Sequence, residues 1–153
     1  MSYAVMFLLL LLDLIKFSYA QTFWTLLHID YPKSDAPGSS NQYCNVMIGW
    51  RKVPMFGACK PVHTFIHENT TSIANLCSIP PKPCGKSQVQ LCHESPSPIN
   101  VTDCFAKSGF RPPTCQYLEN SESRKIQVIC KDGQPIFLKN KLILPQVENS
   151  TQT

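Results

Sequence analysis

Four histidines and one lysine carry the chemistry open to this sequence. His28, His63, His67 and His93 have side chains whose proton affinity lies near neutrality, so each could give or take a proton. Lys60 stands three positions before His63 in the stretch Cys59-Lys60-Pro61-Val62-His63-Thr64-Phe65, which sets a half-cystine and a cation beside a short β-prone run. A lysine holds an anion as a point charge, but its reference pKa of about 10.4 makes it a poor proton donor near neutrality. Metal chemistry finds no support, because the cysteines form none of the close C-x-x-C pairs that a zinc site needs.

The elements that must position these groups belong to one domain of modest core, the chain being 153 residues long. Residues 1–20 read as a secretory signal. An apolar run from Ala4 to Leu12 leads to Ser18-Tyr19-Ala20, the small residues of a cleavage site, while Asp13 and Lys16 argue against a permanent membrane span. The domain is expected over 21–145 and a polar tail over 146–153. All eight cysteines follow the signal (Cys44, Cys59, Cys77, Cys84, Cys92, Cys104, Cys115 and Cys130), an even count that implies four disulfides in an exported chain. Sequons at Asn69, Asn100 and Asn149 mark expected glycosylated surface positions. The net charge of +4 permits attraction to polyanions without the dense basic patches of dedicated nucleic-acid binders.

Phe23 to Ile29 reads as a short helix stopped before Pro32, and Tyr43 to Lys52 as a second. Ser72 is expected to cap a third over Ile73 to Cys77. Strands are expected over Lys60–His67, Val89–His93, Val101–Phe105 and Lys125–Cys130. An Asp132-Gly133 turn then returns Ile136–Leu144 as the last strand. Helices early and antiparallel strands later indicate an α+β domain.

The cysteine intervals of 15, 18, 7, 8, 12, 11 and 15 resemble the ladder of the ribonuclease A (pancreatic ribonuclease) superfamily. The local motifs Tyr43-Cys44-Asn45, Cys59-Lys60 with Thr64-Phe65, Val101-Thr102-Asp103-Cys104 and Pro113-Thr114-Cys115-Gln116-Tyr117 are similar to that family's too. The resemblance implies three short helices with antiparallel sheets and bridges Cys44–Cys104, Cys59–Cys115, Cys77–Cys130 and Cys84–Cys92. It also implies cis peptide bonds before Pro113 and Pro135, no cofactor and no metal. The family cleaves RNA by attack of the 2′-hydroxyl on the adjacent phosphate, which takes a base, an acid and a cation. His28 stands at the base position, Lys60 at the phosphate-stabilising position, Thr64 at the pyrimidine-reading position and Asp103 at its support.

The acid position is empty of histidine: none follows Cys130, and the aligned stretch reads Pro135-Ile136-Phe137-Leu138-Lys139-Asn140-Lys141. Leu27 replaces the usual phosphate-contacting glutamine, and His63 replaces an asparagine. His63 could supply the missing acid or keep the structural hydrogen bonding of that asparagine. His28 is either a retained base or a residue kept with its helix, and Lys60 an anion ligand, with Lys139 and Lys141, or surface charge. His67 is expected to be structural and His93 solvent-facing.

The leading reading is a secreted, monomeric ribonuclease-like protein without significant ribonuclease activity. It would act by binding RNA or another polyanion weakly, or a cell-surface protein or glycan. The His28-Ile29-Asp30-Tyr31-Pro32 stretch is similar to inactive members associated with male reproduction. The rivals are a weak pyrimidine-preferring RNA endonuclease using His28 and Lys60, and a cationic host-defence protein, against which an unclustered +4 argues.

Overall fold

The apolar N-terminal run has no glycine or proline to break it, and in the computed structural model it forms one helix, α1, over Tyr3–His28. The structure describes residues 2–35, 42–85 and 89–139. The helix expected over Phe23–Ile29 is therefore the last part of a longer element, whose residues 3–14 stay exposed, as does Ser2 before it. Among the described residues no helix is long and apolar enough to cross a membrane. Ile29 ends α1 by turning extended, and two carbonyls there accept from the Arg51 guanidinium: Leu26 at 2.8 Å and Ile29 at 2.9 Å.

Arg51 lies just past α2 (Tyr43–Trp50), which buries Tyr43, Cys44, Met47 and Ile48, a helical stripe. The third helix, α3 (Thr70–Ala74), begins three residues earlier than expected and is capped by Asn69, not Ser72. The Asn69 Oδ1 accepts the Ser72 backbone N–H at 2.8 Å.

Strands β1 (Val62–Ile66), β4 (Ile99–Ala106) and β5 (Tyr117–Arg124) form a three-stranded antiparallel sheet in the order β1-β4-β5. A second sheet has the order β2-β3-β6-β7, from Lys82–Pro83, Leu91–Glu94, Gln127–Lys131 and Gln134–Lys139. The β6–β7 turn is Asp132-Gly133, both with positive φ (52° and 75°), as a two-residue hairpin loop requires. Strand β5 was not expected, and the final strand is described only to Lys139.

One apolar core joins Trp24, Ile29, Ile66, Ile73, Leu76, Val101, Ile126, Val128 and Leu138. A second, under α2, gathers Met47, Ile48, Val53, Phe65 and Tyr117 around the Cys44–Cys104 bridge. The four bridges are Cys44–Cys104, Cys59–Cys115, Cys77–Cys130 and Cys84–Cys92. The peptide before Pro113 is cis, as is that before Pro32, whereas the one before Pro135 is not.

Candidate active site

The end of α1 and the start of β1 meet, and this junction sets His28 against His63. Arg51 fixes the junction by holding the last carbonyls of α1 and contacting Asp30 at 3.3 Å. Asp30, 2 % exposed, accepts hydrogen bonds from Tyr43 (2.5 Å) and from the hydroxyl (2.6 Å) and backbone N–H (3.0 Å) of Ser34. Burial pushes its carboxyl up, but these bonds and the Arg51 cation outweigh that and hold it below the usual carboxylate range.

The Nδ1 of His28 lies 2.9 Å from the Thr64 carbonyl oxygen. A carbonyl only accepts, so Nδ1 carries the proton and Nε2 keeps the lone pair a base needs. Burial lowers the His28 pKa to about 4, opposed by the Thr64 bond and reinforced by the Lys60 charge.

His63 is 1 % exposed and stacks on His28, with ring centroids 4.6 Å apart and planes 13° from parallel. Its Nδ1 lies 2.9 Å from the Lys60 Nζ, and its Nε2 lies 2.7 Å from the Leu27 carbonyl oxygen. The ammonium donates to Nδ1 and Nε2–H donates to the carbonyl, which makes His63 the neutral Nε2–H tautomer with both nitrogens engaged. Burial, then repulsion from His28 and Lys60, lowers its pKa to about 3. Burial also lowers the Lys60 pKa. The cation is therefore partly spent on a neighbouring ring, and the histidine nearest the base has no proton to give away.

Thr64, 1 % exposed, donates its hydroxyl to Asp103 Oδ1 at 2.6 Å. Asp103 is gripped from β5 by Arg124, whose Nη2 reaches Oδ1 at 2.8 Å while Nη1 reaches Oδ2. Arg124 Nη1 also reaches Glu122 at 2.6 Å. Arg124 was missed at the sequence level; the signal was the buried aspartate itself, which needs a cation.

The structure thus brings His28, Lys60, His63, Thr64 and Asp103 to one region of β1 and its neighbours. Lys139 has its ammonium against Gly85, 2.9 Å from where a Cβ there would lie. Asn140, Lys141 and Asn149 fall outside the described residues, whereas Asn69 and Asn100 are both exposed. His67 is structural: Nδ1 lies 2.8 Å from the Asp30 carbonyl and Nε2 2.8 Å from the Thr102 hydroxyl. His93 is half-buried rather than solvent-facing, because Nδ1 bonds the Ile79 carbonyl at 2.6 Å. Among the described residues no cluster of three or more His, Cys, Asp or Glu could hold a metal ion.

The fold and this constellation define a class, and comparison with known proteins agrees. The family model for pancreatic ribonuclease matches residues 18–140. The pancreatic ribonuclease of Sus scrofa is 36% identical over 109 residues, covering 71% of this chain and 85% of its own. A brain ribonuclease of Ovis aries is 34% identical over 120 residues, covering 77% and 81%. Among solved structures, green turtle egg white ribonuclease superposes with a TM-score of 0.65 at 27% identity, covering 79% of this chain and 97% of its own. The chain belongs to the pancreatic ribonuclease family.

Proposed function

We propose that this is an exported ribonuclease-like protein that binds without turning RNA over, with 1–20 as its leader, 21–145 as its folded domain and 146–153 as a tail. The observation that carries the reading is the His63 bridge between Lys60 and the Leu27 carbonyl, beside a lone base at His28. No histidine follows Cys130 to act as acid. Loss of a general acid typically costs ~10²–10⁴-fold in rate. The exposure of residues 2–14 supports their assignment to a leader, since the core is complete without them.

The two remaining ammonium donors of Lys60 and the retained Thr64–Asp103 pair, which in the family serves pyrimidine recognition, favour a polyanion as ligand, RNA among them. The similarity of the His28 to Pro32 stretch to inactive members associated with male reproduction supports the lack of turnover and a role in that setting. A second reading, weak pyrimidine-preferring cleavage, has one observation in its favour: the Thr64 bond leaves His28 Nε2 free as a base.

The test is binding of a labelled uridine-rich oligonucleotide to the full chain across a salt series, with the strand recovered and sized afterwards. The expected result is weak, salt-sensitive binding that Lys60→Ala reduces, with the strand intact. A shortened strand, or binding indifferent to both salt and Lys60, contradicts the proposal.

A further inference from the structure

The back of the three-stranded sheet holds a groove that the active-site description does not use. Successive residues of a strand point to opposite faces, so Asn100 and Thr102 share one face of β4 while Asp103 serves the other. Across the ladder Asn100 pairs with Ser123 and Thr102 with Ser121. With Lys33 and His67, these residues line a groove of about 390 Å³, within the size range of pockets that hold small organic ligands. Its floor is the Thr102 hydroxyl, which bonds His67 Nε2 at 2.8 Å and faces Ser121 Oγ at 3.2 Å; the Lys33 ammonium reaches Ser121 Oγ at 3.5 Å. Hydroxyl, amide and ammonium groups of this kind match a ligand that is itself hydroxylated.

Asn100 is exposed at the rim of this groove and opens the sequon Asn100-Val101-Thr102. We propose that Asn100 carries an N-linked glycan and that the first sugars of that glycan lie in this groove, on the back of the sheet. The proposal rests on export of the chain, part of the function proposed above. In the modification, Asn100 Nδ2 bonds to the anomeric carbon of a lipid-pyrophosphate-linked oligosaccharide. The bond from that carbon to the pyrophosphate oxygen breaks, the lipid pyrophosphate leaves with the electron pair, and one amide proton is lost to a base.

Tethering decides between this glycan and a free sugar. Sugar–protein hydrogen bonds replace bonds to water and net only about 0.5–1.5 kcal/mol each. A free saccharide would also lose its translational freedom on binding. A glycan rooted at the rim has already lost most of that freedom and meets the groove at a millimolar-range effective concentration.

The same geometry keeps the root of the glycan away from Lys60. His67 N–H bonds the Asn100 carbonyl at 2.9 Å, and Asn69 follows two residues later, so both described sequons sit where β1 ends and β4 begins. Lys60 lies beyond the other end of β1, where Ala106 N–H bonds the Pro61 carbonyl. At about 3.4 Å per residue, the four steps from Val62 to Ile66 separate the two ends of β1 by about 14 Å.

Asn69 supplies the internal comparator. It caps α3 through Oδ1, which leaves Nδ2 clear for a sugar, and it is not among the residues that line this groove. The full chain is expressed in a glycosylating animal cell and collected from the medium. Release of each glycan by an amidase is then followed by peptide mass spectrometry, on native and on reduced, denatured protein. The Asn100 glycan should leave the native protein at least about tenfold more slowly than the Asn69 glycan, a margin of ~1.4 kcal/mol, with the two rates equal after denaturation. Ser121→Trp, which fills the groove with an exposed ring, should bring the native Asn100 rate to that of Asn69. Equal native rates, or a bare Asn100 on a secreted chain glycosylated at Asn69, overturns the proposal while leaving export intact. A chain retained in the cell and bare at both sites overturns export and, with it, the glycan.

Discussion

Acid should loosen this protein before its carboxylates begin to titrate. His28 and His63 have pKa values of about 4 and about 3 in the fold, against an ordinary 6.5. Both are lowered, so the unfolded chain binds protons that the native stack refuses. The stability this confers is complete above the unfolded value and declines as pH falls below 6.5, levelling off only near the folded values. At about 1.4 kcal/mol per pKa unit, each ring loses about 2 kcal/mol between pH ~6.5 and pH ~4.5, and the pair at most about 4 kcal/mol. His67, lowered by burial, adds in the same direction. Asp30, held below its ordinary value, has the same sign of linkage: its contribution too is lost as pH falls, but at still lower pH. The assay is urea unfolding with disulfides intact, followed by tryptophan fluorescence at stepped pH. His63→Asn should remove about half of the slope in that window, because a side-chain amide at this position has nothing to protonate. A midpoint that is flat over the window, or a variant that tracks the parent, would refute the assignment of two neutral, buried rings.

Removing Arg124 as Arg124→Ala leaves the Asp103 carboxylate buried without its cation and should cost about 3–5 kcal/mol in denaturant unfolding. Arg124→Lys keeps the charge but not the two-pronged grip, and should fall between that variant and the parent. The Cys77–Cys130 bridge spans 53 positions and Cys84–Cys92 only 8. Loop-closure entropy then makes removal of the first, as paired alanines, costlier by about 1.7 kcal/mol, readable as a difference in urea midpoints. Tyr43→Phe deletes one of the bonds that hold Asp30 and should cost about 1–3 kcal/mol in the same assay.

The parts of the fold legible in the sequence are those whose side chains decide their own conformation. The β-branched and aromatic residues of Val62 to Ile66 and the Asp132-Gly133 turn are of that kind, and the cysteine ladder led to the family. Strand β5 escaped because Leu118-Glu119-Asn120-Ser121-Glu122-Ser123 has almost no strand propensity of its own; it is a strand because eight of its residues pair with β4. Arg124 escaped with it, whereas the link from Asp103 to Thr64 was implied by the family resemblance. The cap of α3 was misread because both Asn69 and Ser72 can cap, and only the fold decides which side-chain oxygen meets which N–H. For the candidate site, the positions of His28, Lys60, Thr64 and Asp103 were readable, but the tautomer of His63 was not. It depends on Leu27 presenting a backbone carbonyl, which side-chain identity does not announce.

The most direct measurement is cleavage of a uridine-containing RNA by the purified full chain beside its His28→Ala variant, at neutral pH and low salt. A base without an acid, next to a cation held by a neutral ring, predicts no product above the blank for either protein. Cleavage by the parent that falls by about 10²-fold or more in the variant would contradict it.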